Sequence, residues 1–381
     1  MSAFLCPRCQ NSDPIFIGYL NGKPYCRRCI AFNGEEAPKP QRKPSVSPVV
    51  LNFKLSDDQL AISNKVRENY KNGINTLIYA VCGAGKTELV YGVIADALRL
   101  GKTVGFALPR RDVVIELYWR LKEAFPEDKV VAVYGGHTKN LIGDIIILTT
   151  HQIYRYPKYF DLLVMDEIDA FPFKGSDILH TFYEKSINGN VVLMSATPSK
   201  ELIEKFNGKG HQVLELKTRF HRHEIPVPKI VLGFTMCLFL KMVKELKFLL
   251  GKGKPVFIFC PTIGECERVF SFLKHLVKGG ACVHSKDPDR QIKIENFKKS
   301  KLKYLVTTSI LERGITIKHL QVFVFHADRE DIYDSSTLIQ ISGRVGRKWD
   351  APNGKVIFYA KKRTKSIDTS ITNIKECNRC L

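Results

Sequence analysis

The sequence lacks any apolar run long enough to cross a bilayer. Its most apolar stretch, Val231–Leu240, is about half of the roughly 20 residues that a spanning helix needs. It shows no opening segment with a charged start, an apolar middle and a cleavage site, so no secretory signal is expected. Acidic residues are in short supply: Asp and Glu total 38 against 59 Lys and Arg, a formal net charge of +21. Such an excess draws polyanions, nucleic acid being the usual one, although a ribosome-associated or membrane-surface protein would carry the same balance. There is no short-period repeat, and low complexity is confined to one Pro-rich segment. These gaps argue against a membrane-spanning or secreted chain and lead us to expect a soluble, cytoplasmic protein.

What is present divides into segments. At about 100–200 residues per domain, 381 residues allow two or three domains. Residues 1–36 are short and cysteine-bearing. Residues 37–50 form a basic linker with Pro38, Pro40, Pro44 and Pro48, a composition that favours extended, poorly packed chain. From Leu51 to about Arg222, β-branched runs (76–81, 103–108, 130–134, 144–149, 162–165 and 191–194) alternate with helical patterns. A charged, Pro-flanked break follows at His221–Pro228. The alternation then resumes over 223–366, with strands expected at 256–260, 281–284, 304–307, 322–325 and 356–359, before a tail of residues 367–381. Strand–helix alternation of this kind gives parallel α/β sheets, here two in tandem.

Eleven cysteines in a cytosolic-looking chain suggest metal before disulfides. Cys6-x-x-Cys9 and Cys26-x-x-Cys29 can clamp two sides of a tetrahedral zinc, with Asn21–Gly22 turning a hairpin between them. About thirty residues bury too little core alone, so zinc would supply folding free energy. Arg8, Arg27 and Arg28 lie near these ligands and would permit DNA contact. Cys377 and Cys380 could form half of a second site, but reduced thiols are the better reading there. Cys82, Cys237, Cys260, Cys266 and Cys282 are expected to be buried small hydrophobes.

Three further clusters carry chemistry. Gly83-Ala84-Gly85-Lys86-Thr87 follows a β-branched strand and opens a helix, as a phosphate-binding loop does. Ala80 stands where the strict pattern has glycine, but Gly83 and Gly85 still allow the backbone N–H groups to turn toward phosphates. Lys86 would neutralise them and Thr87 would hold Mg2+. Asp166 and Glu167 end an apolar strand, where Asp166 would share the magnesium and Glu167 would polarise a water. Asp169 would couple this site to neighbouring motifs. Finally, Gln340 precedes Arg344 and Arg347, two guanidiniums three residues apart on one expected helical face, suited to a γ-phosphate as its charge develops.

Taken together these residues resemble superfamily-two helicases of the DEAD/DEAH type, from Leu51 to about Thr364. Ser56–Gln59 is similar to the adenine-reading element, and Gln59, Glu88 and Gly314 join the expected ATP contacts. Phe106–Arg110 and Thr149–Gln152 resemble first-lobe strand contacts, with Pro109, Arg110, Thr149 and Thr150 touching nucleic acid. Phe257–Thr262 and Val306–Gly314 resemble their second-lobe counterparts through Thr262, Thr307 and Thr308. Ser195-Ala196-Thr197-Pro198 is similar to the motif that links hydrolysis to movement. Within the superfamily the loop form Ala-Val-x-Gly-Ala-Gly-Lys-Thr-Glu and the four-cysteine module resemble the ComFA family, the late-competence ATPases of DNA uptake in Gram-positive bacteria. The resemblance implies two RecA-like lobes and an ATP-driven motor on imported single-stranded DNA. It also implies work at the inner face of the membrane with a DNA channel and other competence proteins. A replication-restart or repair helicase that unwinds duplex, and a scaffold that has lost catalysis, are the alternatives.

Overall fold

The computed structural model describes residues 4–39, 43–45, 48–51, 54–308 and 317–379. The chain divides into two compact units, Met1–Ala80 with Gly85–Leu216, and Lys217–Leu381 with Val81–Ala84.

The first unit opens with the antiparallel hairpin β1 (Ile17–Leu20) and β2 (Lys23–Cys26). Asn21 and Gly22 both take positive φ, 51° and 75°, as an Asn-Gly hairpin turn requires. Then come α1 (Asp57–Lys71), β3 (Asn75–Ala80), α2 (Lys86–Leu89), α3 (Tyr91–Arg99), β4 (Val104–Leu108), α4 (Arg111–Ala124), β5 (Val130–Val133) and β6 (Ile145–Thr149). The unit continues through β7 (Phe160–Asp166), α5 (Asp177–Ser186), β8 (Ile187–Ser195), α6 (Lys200–Phe206) and β9 (His211–Leu216). Seven strands form one sheet in the order β5-β6-β4-β7-β8-β3-β9, every neighbouring pair parallel.

That order decides which loops become neighbours. Parallel strands put all their carboxyl ends on one edge, where open α/β sheets bind ligands. Along β6, β4, β7, β8 and β3, that edge carries in turn Thr149–Thr150, Pro109–Arg110, Asp166–Asp169, Ser195–Thr197 and the glycine loop.

The second unit contains β10 (Lys229–Leu232), α7 (Thr235–Gly251), β11 (Val256–Phe259), α8 (Ile263–Leu276), β12 (Gly280–Val283) and α9 (Arg290–Lys298). It ends with β13 (Tyr304–Thr307), β14 (Gln321–Phe325), α10 (Ser335–Ser342), β15 (Val356–Ala360) and α11 (Lys365–Asn378). Its six strands run β10-β15-β14-β11-β13-β12, again all parallel. Side chains alternate between two cores: Val256 and Ile258 pack with α7 and α8, while Phe257 and Phe259 pack with α9, α10 and α11.

Several expectations need correction. The tail expected at residues 367–381 is for the most part α11, because Ile367, Ile371 and Ile374 recur at helical spacing and pack into the core. Asn378 at its end exchanges two hydrogen bonds with the backbone of Ile225, at 2.8 and 2.9 Å. The apolar run Val231–Leu240 is no single element: β10 ends at Leu232 and α7 begins at Thr235. β9 and β10 are strands that the periodicity did not show. Described parts of the Pro-rich linker are tied to the first unit, with Ala37 N–H donating to Arg155 O, Ser45 N–H to Leu98 O and Val50 N–H to Ala124 O. Of the five cysteines expected to be buried, Cys237 is exposed and Cys282 half-buried.

Candidate active site and metal centre

The phosphate loop leaves buried β3 and curls through Gly83 and Gly85, both left-handed at φ 87° and 75°. A Cβ on Gly85 would stand 2.5 Å from Gln59 Nε2, so only glycine fits beneath that amide. Gln59 is fixed by a capping box at the start of α1. Ser56 N–H donates to its Oε1 at 2.9 Å, and its own N–H donates to Ser56 Oγ at 3.3 Å. The sequence candidates Gln59 and Gly85 therefore meet in space. Ala84 is fully buried, and Lys86 and Thr87 are half-buried in the first turn of α2.

Lys86 Nζ lies 3.8 Å from Asp166 Oδ1, both side chains about 15% exposed. A lysine and an acid facing each other across a strand-end crevice suit a phosphate and a divalent cation between them, so Thr87 and Asp166 fit magnesium by their donor chemistry. Glu167 holds a left-handed φ of 59° while its N–H donates to Asp166 Oδ1 at 2.8 Å. Positive φ at a residue of this size is uncommon and costs of order 1–3 kcal/mol. Asp169 accepts from Ser195 Oγ at 2.9 Å and Thr197 Oγ1 at 2.6 Å, and Thr197 N–H donates to Ser195 Oγ at 2.9 Å. Ala196 is buried between them. These coupling candidates, drawn from the ends of β7 and β8, thus share one hydrogen-bonded cluster. The Glu88 carboxylate pairs with Arg120 of α4, an arginine that no motif singled out.

In the second unit the arginine pair departs from expectation. α10 stops at Ser342 because Gly343 caps it and Gly346 turns at φ 71°, so Arg344 and Arg347 lie in the turn beyond the helix rather than on its face. Gln340 and Arg344 are buried, Arg347 half-buried with Nε donating to Gly343 O at 3.1 Å. This turn is held by a residue that sequence reasoning missed. Arg219, 2% exposed, donates to the carbonyls of Val345 and Gly346 at 3.0 and 3.1 Å and of Gly343 at 3.0 Å. Burial pulls its pKa down to about 10. His221 adds a bond to Gly346 O at 2.8 Å. Arg219 looked like one more charge before a Pro-flanked break, and nothing in its neighbours signalled burial. Gly314 and Arg313 lie outside the described residues, as does Cys380.

The expected strand contacts sit on carboxyl edges too. β4 and β6 pair Leu108 with Thr149, so Arg110 and Thr150 follow adjacent strands. Thr150 is buried, with Oγ1 unpartnered. In the second unit β11 and β13 pair Phe259 with Thr307, bringing Thr262 and Thr308 to one edge. Thr262 is exposed and caps α8, its Oγ1 accepting from Glu265 N–H at 3.2 Å, while Thr307 is buried.

The four N-terminal cysteines converge. All are buried, with Cys6 Sγ to Cys29 Sγ and Cys9 Sγ to Cys26 Sγ at 3.6 Å, and all four sulfurs within 4.8 Å of one another. A tetrahedron with zinc–sulfur arms of ~2.3 Å has edges of roughly 3.8 Å, so the set fits structural zinc. The module is also a wall of the first unit. Phe32 packs edge-on to Tyr154 and Phe182, at 5.5 and 5.0 Å between centroids, and stacks toward His151. Gly34 N–H donates to the Tyr154 hydroxyl, and Arg155 donates to Glu35 O. Two of the arginines near these ligands take part in this docking: Arg8 donates to Phe32 O and lies over the Tyr154 ring, and Arg28 pairs with Asp177 at 3.0 Å. Arg27 remains exposed.

Known proteins agree with this architecture. The DEAD/DEAH box helicase family matches residues 58–206, and the helicase conserved C-terminal domain family matches residues 239–348. Among solved structures, S. cerevisiae Dbp5 bound to RNA and ADP BeF3 superposes with TM-score 0.61 at 16% identity, over 86% of this chain and 93% of that one. RecG bound to a three-way DNA junction gives 0.61 at 19% identity, over 86% of this chain and 45% of that one. These likenesses establish two RecA-like helicase lobes. Competence protein ComFA of Bacillus subtilis (strain 168) is 35% identical over 98% of this chain and 86% of its own length. The ComFA of Streptococcus pneumoniae is 31% identical over 98% and 90%. The chain is an ATPase of the helicase type and belongs to the ComFA family.

Proposed function

We propose that this chain is a single-stranded-DNA-stimulated ATPase and translocase that drives uptake of transforming DNA. The observation that supports this most is the extent of the match: 98% of the chain, hence cysteine module and both lobes together, aligns with two proteins named for competence. By the same reading it works in the cytoplasm, peripheral at the inner face of the membrane, with a membrane DNA channel and other competence proteins as partners.

Each residue of the site then has a role. Lys86 and the loop N–H groups hold the β- and γ-phosphates, Glu167 polarises the attacking water, and Arg344 and Arg347 stabilise charge developing on the γ-phosphate. Thr87 and Asp166 would hold magnesium, which supplies charge neutralisation at the phosphates. Asp169 passes changes at the acidic strand end to Ser195 and Thr197 through its two hydrogen bonds. Backbone phosphates of the strand are gripped along the edge from Pro109–Arg110 to Thr149–Thr150, and by Thr262, Thr307 and Thr308.

ATP turnover measured with single-stranded DNA, duplex DNA and RNA tests this. Stimulation greatest with single-stranded DNA is expected, with Lys86→Ala inactive under all conditions. Equal stimulation by duplex together with strand displacement would favour the repair-helicase alternative, and turnover retained in Lys86→Ala would refute the catalytic assignment.

A further inference from the structure

We propose that a cavity at the carboxyl edge of the second unit's sheet, between α7 and α8, takes in one unstacked base of a single strand of DNA. This rests on the single-strand reading above and adds to it a site for bases beside the sites for backbone phosphates.

The cavity has a volume of about 580 Å³. It lies past the ends of β10, β14 and β15, at Thr235, His326 and Lys361, with α7 and α8 as its sides. That is the crevice where a parallel sheet binds ligands. Its walls are aromatic. Phe239 and Phe272 stand 6.2 Å apart at 71°, and Phe325 stacks on His326 at 4.3 Å. Phe272 is 64% exposed and Met236, which lines the same cavity, 68%, so apolar surface faces water at the mouth. Bases stack on such rings regardless of sequence because every base has a π-face.

Polar groups share the lining: Asp328 Oδ1 accepts from Lys361 N–H at 3.1 Å, and Arg329 pairs with Asp331 at 2.7 Å. Glu265 and His326 bond to each other, each only 12% exposed, and the other ring nitrogen of His326 lies 3.3 Å from Thr235 Oγ1. A cavity with aromatic rings on its sides and the anchored Glu265–His326 pair among its polar groups suits a flat ring that carries hydrogen-bonding edges. Arg268 and Lys361 stand exposed at the rim, where a strand's phosphates would pass. The path to it is short. Thr262, the second-unit strand-contact candidate, caps α8 and bonds to the N–H of Glu265, which is itself in the cavity wall. A strand held at Thr262 is therefore about one helical turn from Glu265 in the wall and about 15 Å along α8 from Phe272 at the mouth.

The test compares an oligothymidylate with an abasic strand of the same length, both at one salt concentration. Stacking on an aromatic ring is worth about 5- to 150-fold in affinity per base. Phe272→Ala should weaken thymidylate binding about tenfold and leave abasic-strand binding within about twofold, whereas Phe272→Trp should preserve both. Arg268→Ala should weaken both strands alike and lower the salt slope by about 0.7, the single-strand value for one phosphate contact. Thymidylate binding unchanged in Phe272→Ala, or equal loss on both strands, would overturn the proposal while leaving the single-strand reading intact. A wild-type protein that neither binds thymidylate nor is stimulated by it would defeat both. Because Phe272 is mostly exposed, its truncation removes little core, and an unchanged unfolding midpoint checks this.

Discussion

Arg219→Met is the substitution whose effect follows most directly from the geometry. Arg219 supplies charged donors to three carbonyls of the Gly343–Gly346 turn, at 3.0–3.1 Å, and a fourth from Nε to Cys82 O at 3.1 Å. Hydrogen bonds to a charged partner contribute roughly 1.5–3 kcal/mol each, so four give a gross gain of about 6–12 kcal/mol. Against this, burial lowers the guanidinium pKa from its ordinary value to about 10. At about 1.4 kcal/mol per pH unit that costs roughly 3 kcal/mol. A net loss of about 3–9 kcal/mol is expected when methionine keeps the volume but removes the donors. The turn it leaves unsupported carries Arg344 and Arg347, and Cys82 leads into the phosphate loop, so kcat for ATP should fall more than tenfold and KM for ATP should rise. Arg219→Lys, with a point charge in place of a planar fork, should fall between the two. Urea unfolding of the second unit and steady-state ATP turnover measure these effects. A stability loss below about 1 kcal/mol with unchanged kcat would refute the reasoning that a buried arginine positions the turn.

Three other outcomes are expected. Cys9→Ser should drop zinc from about one per chain and, because the module walls the first unit through Phe32, should also lower that unit's thermal midpoint; unchanged metal content would refute the ligand set. Gly85→Ala should cost about 1–3 kcal/mol and most of the ATP turnover, since φ is 75° and its Cβ would fall 2.5 Å from Gln59 Nε2; turnover close to wild type would sink this. Burial holds His151 and His221 below the usual histidine range. The unfolded chain therefore binds these protons more readily than the folded one, and stability, full above about pH 6.5, declines as pH falls below it. Thermal midpoints from about pH 7.5 to about 5.5 should fall, less so in His151→Phe, and a midpoint that rises on acidification would contradict the sign.

The sequence by itself determined the elements and the chemistry they carry. Eleven strands came from β-branched runs, because buried parallel strands are apolar on both faces, and Gly85-Lys86-Thr87, Asp166-Glu167 and the four N-terminal cysteines are local patterns whose spacing is their meaning. Tertiary structure decided which of these meet. Strand order is not written in any local pattern, yet β7 and β8 between β4 and β3 are what set Asp166, Asp169, Ser195 and Thr197 in a row between the strand-contact end of the edge and the glycine loop. The burial of Arg219 against the Gly343–Gly346 turn and the docking of the cysteine module on Tyr154 and Phe182 likewise depended on partners more than 100 residues away. Periodicity reports which face of an element is apolar; it carries no information about which distant face will cover it.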